Sequence, residues 1–312
     1  MREGFVLVNS VPTQIFTWGS WIEDRLEEDK KEVVVFFPGN PGIVGFYVSF
    51  LEELHYHLGI PVWAVCFAGH AAPPPHSEFK LPPLEGNHHL YNSEGQIEHK
   101  IAFIEKYVPQ NVKIILVAHS VGSKMALGVL KNKPIRSKVT KAYLLFPAIE
   151  RMAESPSGKT MMSYMQYRTV VKTMLFLAWL LYLIPLPLRK FIISVQLMFR
   201  RIPVCHTSPT VQYMHPDVAR NVAFLALDKI EKVRELDDKA FEELCDVLFL
   251  YYGSKDGWAP MSYWKEMSEK HPKVKFMVCK HNLDHAFCLN SGVEMAVILS
   301  DIIKQQTYRQ DM

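Results

Sequence analysis

Ser120 lies in Ala118-His119-Ser120-Val121-Gly122, between an apolar run that reads as a strand and a stretch with helical spacing. A serine on a tight strand-to-helix turn, with small residues two before and two after it, presents its Oγ for attack on a carbonyl. Attack needs a base to take the hydroxyl proton and an acid to orient that base. On such a turn the partners follow in the order serine, acid, histidine, each at the carboxyl end of a strand. Two later loops supply them, Gly253-Ser254-Lys255-Asp256-Gly257 and His281-Asn282-Leu283-Asp284-His285-Ala286-Phe287. The order assigns Ser120 as nucleophile, His285 as general base and Asp256 as the acid that fixes its tautomer. Taken singly, Ser120 also suits a helix N-cap and Asp256 a turn; the joint order favours the triad. Asp284 adjoins His285 and is poorly placed to reach its ring. His281 is the rival base.

An attacked ester also needs two backbone N–H groups for the developing oxyanion. One is expected from Val121, the residue after the nucleophile. The other is expected from Pro38-Gly39-Asn40-Pro41-Gly42, a breaker that ends an apolar run. Pro41 has no N–H, so Asn40 is the donor chosen. The alternative is a strand-ending turn without a chemical role.

Positioning these groups requires a sheet. Residues 33–37, 62–67, 112–117, 139–146, 247–252 and 274–278 are apolar runs suited to strands buried on both faces. Helical spacing falls between them, at 46–58, 96–107 and 121–131, and again at 292–305. Residues 5–8 and 14–18 form a hairpin-like opening, 23–32 a charged loop and 69–95 a loop rich in Pro and His. The alternation predicts a mostly parallel sheet with helices on both faces. Residues 1–146 and 247–312 are then the core. Residues 147–246 are too long for a connection and read as an inserted helical cap.

Composition narrows the partners. The 312 residues are 49% apolar, which excludes a disordered chain. Five cysteines without a C-x-x-C pair fit a reducing compartment rather than a disulfide framework. Residues 1–21 lack the apolar core of a signal peptide, so a cytosol-facing chain is expected. The 13 histidines show no HExxH, and no metal site or cofactor is expected. The net charge of +3 argues against a nucleic-acid partner but hides an asymmetry. Residues 155–216 hold seven Lys and Arg and no Asp or Glu, so the remaining 250 residues carry −4.

The sequence resembles the lipid droplet-associated hydrolases, a branch of the α/β-hydrolase superfamily. The resemblance rests on Phe37-Pro38-Gly39-Asn40-Pro41-Gly42, the Ser120 turn, Gly253-Ser254-Lys255-Asp256-Gly257-Trp258 and Asp284-His285-Ala286-Phe287. It spans nearly the whole chain, and the Pro-Gly-Asn-Pro-Gly loop is its most specific element. The family's turn usually has Gly where this chain has Ala118. The resemblance implies an α/β-hydrolase fold with Ser120, Asp256 and His285 as triad. It also implies residence on lipid droplets and endoplasmic reticulum, and a role in cholesterol ester and triglyceride turnover.

The basic block suits such a location. Residues 174–188 carry no charge, but a bilayer span needs about 20 residues. Pro185 and Pro187 interrupt the run, and residues 191–199 form a second one. A hairpin or a pair of interfacial helices over about 170–201 is expected, with basic residues at the headgroups. Its lipid-facing residues are expected to include Leu175, Phe176, Trp179, Leu180, Leu183, Arg189 and Lys190. The alternative is an apolar cap helix packed over the active site.

Overall fold

The computed structural model describes residues 1–24 and 31–310. Most of the charged loop expected at 23–32 lies outside the described residues. Eight strands form one sheet: β1 (Arg2–Val8), β2 (Val11–Trp18), β3 (Glu32–Phe37), β4 (Val62–Val65), β5 (Lys113–His119), β6 (Val139–Leu145), β7 (Leu248–Tyr252) and β8 (Lys275–Val278). Their spatial order is β1-β2-β4-β3-β5-β6-β7-β8. The β1–β2 and β2–β4 pairs are antiparallel and the rest are parallel.

The continuous apolar runs are explained by cores on both sheet faces. Val33, Val35 and Phe37 enter one core, while Val34 and Phe36, one pleat out of phase, enter the other. A 3-10 turn at Val44–Tyr47 leads into α1 (Val48–Leu58), which ends at Gly59 in the left-handed conformation. The loop expected at 69–95 is shorter than that: it gives way to α2 (His88–Tyr91) and α3 (Ser93–Tyr107). Asn92 caps α3 by accepting from the Gly95 N–H, so this helix starts three residues earlier than its apolar spacing indicates. α4 (Gly122–Leu130) follows Ser120, and α5 (Lys133–Arg136) closes that unit.

Six helices lie between β6 and β7: α6 (Pro156–Met165), α7 (Arg168–Leu183), α8 (Leu186–Phe199), α9 (Thr207–Tyr213), α10 (Pro216–Lys232) and α11 (Asp238–Leu244). Ala240, Phe241 and Leu244 of α11 pack in the core beneath the sheet, so this last helix has returned to the body. Pro185 separates α7 from α8, whereas Pro187 sits in the first turn of α8, where a missing N–H costs nothing. Then come α12 (Met261–Lys270), a largely polar helix not expected from the sequence, and α13 (Gly292–Gln310), packed on α1.

Candidate active site

Parallel strands deliver the polar groups to one edge of the sheet. β3 ends at Phe37, β5 at His119, β7 at Tyr252 and β8 at Val278. The β3–β5 register pairs Phe37 with Ala118, which sets the Gly39 loop against the Ser120 turn.

Ser120 adopts φ +53°, a left-handed conformation that costs a non-glycine residue free energy. The turn is closed by contact. A Cβ on Gly122 would lie 2.5 Å from the Pro38 carbonyl oxygen, and one on Gly39 would lie 2.8 Å from the Ser120 Cβ. Ala118 meets no such limit: it is a strand residue whose methyl is buried in the core.

Ser120 Oγ donates to His285 Nε2 at 2.8 Å. His285 Nδ1 lies 2.7 Å from Asp256 Oδ2. A carboxylate only accepts, so Nδ1 carries the proton and Nε2 presents its lone pair to Ser120. The other Asp256 oxygen accepts from the backbone N–H groups of Trp258 at 2.7 Å and Ala259 at 3.2 Å. The carboxylate is therefore pinned at both oxygens and faces no solvent. The rival groups lie elsewhere. His281 is exposed and pairs with Glu294 at 3.3 Å, and Asp284 is exposed.

The backbone N–H groups of Asn40 and Val121 have no partner among the described residues, and both residues line the cavity at Ser120. Gly39 N–H is engaged instead, by Tyr47 Oη at 2.9 Å. That bond begins a relay absent from the sequence reading. Tyr47 Oη lies 2.7 Å from His119 Nδ1, and His119 Nε2 lies 2.9 Å from the His285 carbonyl. The carbonyl only accepts, so His119 Nε2 donates, Nδ1 accepts, and the tyrosine O–H points at it. Burial and the neighbouring His285 hold His119 well below the usual histidine range, so it stays neutral. One buried chain thus couples the Asn40 loop, the serine turn and the base. Its signal in the sequence was a histidine at the end of a buried strand.

The cavity over Ser120 has a volume of about 190 Å³, and α10 closes one side of it with Ala226 and Lys229. Lys229 Nζ is buried without a hydrogen-bond partner among the described residues. Burial pushes its ammonium down to about 7, and the buried Lys100 likewise. From about pH 7 to the unfolded lysine value near 10.4, the unfolded chain binds more protons, so stability rises with pH. Lys229→Met should raise unfolding free energy at pH 7 by about 1–3 kcal/mol and remove its contribution to that rise. Urea unfolding at a series of pH values checks both. An unstabilised variant with the parent slope would refute the assignment.

α7 and α8 expose an apolar face. Phe176, Trp179, Leu180 and Leu183 are exposed, as are Phe191 and Phe199. Lys172, Lys190, Arg200 and Arg201 are exposed beside them. Two of the residues expected at a lipid surface are placed otherwise. Leu175 is half-buried and lines a cavity between α7 and α10. Arg189 is buried, with its guanidinium 4.6 Å above the Tyr182 ring, because its stem fills the joint of the two helices. Among the described residues no helix is long and apolar enough to cross a membrane, and no His, Cys, Asp and Glu group is arranged to hold a metal ion.

The sheet order, the left-handed serine turn after β5 and the helices inserted after β6 define an α/β-hydrolase fold. Solved structures share it: DBJA matches at TM-score 0.65 and 12% identity, covering 97% of both chains. Epoxide hydrolase VrEH1 from Vigna radiata matches at TM-score 0.61 and 14% identity, covering 97% of this chain and 98% of that one. Within this class, the chain belongs to the lipid-droplet associated hydrolase family, whose profile matches residues 30–288. It is 43% identical to the lipid droplet-associated hydrolase of Drosophila melanogaster, over 98% of this chain and 99% of the relative. It is 33% identical to that of Mus musculus, over 99% and 97%.

Proposed function

We propose that this chain is a serine esterase working at the lipid droplet surface on neutral lipid esters such as cholesterol esters. The hydrogen-bonded array Ser120–His285–Asp256 carries the reading. Ser120 Oγ attacks the ester carbonyl carbon while His285 Nε2 takes its proton. The carbonyl oxygen becomes an oxyanion, held by the Asn40 and Val121 N–H groups. Collapse breaks the bond to the alcohol, which leaves with the proton from His285. Water, deprotonated by the same histidine, then attacks the acyl-serine. A second tetrahedral intermediate releases the fatty acid and restores Ser120.

The exposed apolar face of α7 and α8, with its cations, supports contact with a droplet monolayer and with the cytosolic face of the endoplasmic reticulum. The family and the names of its relatives support the lipid droplet as the location. A role in cholesterol and triglyceride homeostasis follows from the substrate and the place. The second reading is a surface-binding protein with weak or no catalysis that regulates lipid storage; it is favoured by the size of that face. Purified protein given emulsified cholesterol oleate, triolein and smaller carboxylic esters should release fatty acid. Release from none of them would favour the second reading.

A further inference from the structure

The catalytic cavity of about 190 Å³ is smaller than the roughly 300–1,000 Å³ of sites that take a drug-sized ligand, let alone a long-chain lipid ester. It has room for the ester group and little more. A second cavity of about 480 Å³ adjoins it, and Asn40, Met161 and Ala226 line both. Its walls are mostly apolar and come chiefly from α6, α7 and α10, with Tyr213 of α9. Asn40 is also the oxyanion donor assigned above, so the two spaces meet beside the reacting carbonyl.

The helix α7 has two apolar faces. Val171, Leu175 and Ala178, at helical spacing, line the second cavity. Phe176, Leu180 and Leu183, at the same spacing on the other side, are exposed. An apolar face turned towards a neighbouring helix is ordinarily covered by packed side chains; here it borders a cavity next to the nucleophile, with exposed Tyr164 and Met174 at its rim. We propose that the cavity between α7 and α10 is the acyl subsite, taking the long hydrocarbon chain of the ester whose carbonyl lies at Ser120. The subsite rests on the esterase reading and makes it more specific: long acyl chains are preferred over short ones, and α7 separates the bound chain from the lipid surface.

Ala223 lines the second cavity and not the first. Ala223→Phe should fill it. The ratio of palmitate to acetate ester hydrolysis should then fall about 100-fold, which corresponds to losing burial of a few methylenes. Ala178→Phe, on the opposite wall, should do the same and serves if the first variant does not fold. The subsite can also be read without turnover. Ser120→Ala protein should bind a fluorescent long-chain fatty acid, and adding Ala223→Phe should weaken that binding by a similar factor. An unchanged ratio with undiminished fatty acid binding would overturn the subsite. Fatty acid binding that responds to Ala223→Phe in a chain hydrolysing no ester would uphold the subsite and overturn the esterase reading.

Discussion

Ser120→Ala should abolish labelling by a fluorophosphonate probe and lower ester hydrolysis by at least about 10⁴-fold, the scale of removing a nucleophile that acts as a unit with its base. The fold should survive. Ser120 Oγ is bonded to His285, which is partly exposed, so water can replace it. The left-handed backbone is retained, since an alanine at φ +53° meets the same strain as the serine. A melting temperature close to the parent's would show that lost activity is lost chemistry. His285→Ala should cost a similar factor. Asp256→Asn is a less clean change, because the carboxylate also accepts two backbone N–H bonds that order its loop. It should lower both activity and stability. Probe labelling that persisted in Ser120→Ala would remove Ser120 as nucleophile.

The triad was legible because each member follows an apolar strand; β5 and β7 are buried as expected, whereas β8, before His285, is a half-exposed strand at the sheet edge, with a neighbour on one side only among the described residues. Val33-Val34-Val35-Phe36-Phe37 is short, β-branched and aromatic and ends at Pro38-Gly39, which favours a strand covered on both faces over a buried helix. The order of loops after such strands then restricts the partners to a few residues, and distance decides among them: His285 reaches Ser120, whereas His281 reaches Glu294. Tyr47 and Lys229 were not legible as site residues. They are brought to the cavity by packing between segments far apart in sequence, and no local spacing encodes that. The same limit explains Arg189. Charge patterning marks it as a surface cation, but its depth depends on how α7 and α8 close on one another. Helix starts failed where a side-chain cap set them, as Asn92 does for α3. The Ala118 substitution in the serine turn shows the opposite case. Position two before the serine still belongs to β5, where a methyl packs in the core, so alanine serves there without disturbing the turn.

Replacing Phe176, Leu180, Leu183 and Phe191 together by serine should weaken binding to an oil emulsion coated with phospholipid on the order of 10³-fold. All four side chains are exposed in the folded chain, so their removal takes no packing from the core. Each fully buried apolar side chain contributes about 1.5–3 kcal/mol. Partial entry of four into a monolayer, at about 1 kcal/mol each, gives three powers of ten at 1.4 kcal/mol per power. This loss should be insensitive to salt. Charge reversal at Lys190, Arg200 and Arg201 should act differently, costing about 1 kcal/mol per residue on an anionic monolayer and far less at high salt or on a zwitterionic one. Arg189 is left out of that set because reversing a buried guanidinium would test the helix joint rather than the surface. Flotation of emulsion-bound protein, with circular dichroism as the check on folding, measures both sets. The two contributions have separate causes, so they should add. If both variants floated with the emulsion as the parent does, α7 and α8 would not be the lipid contact, and their exposed apolar face would need another partner.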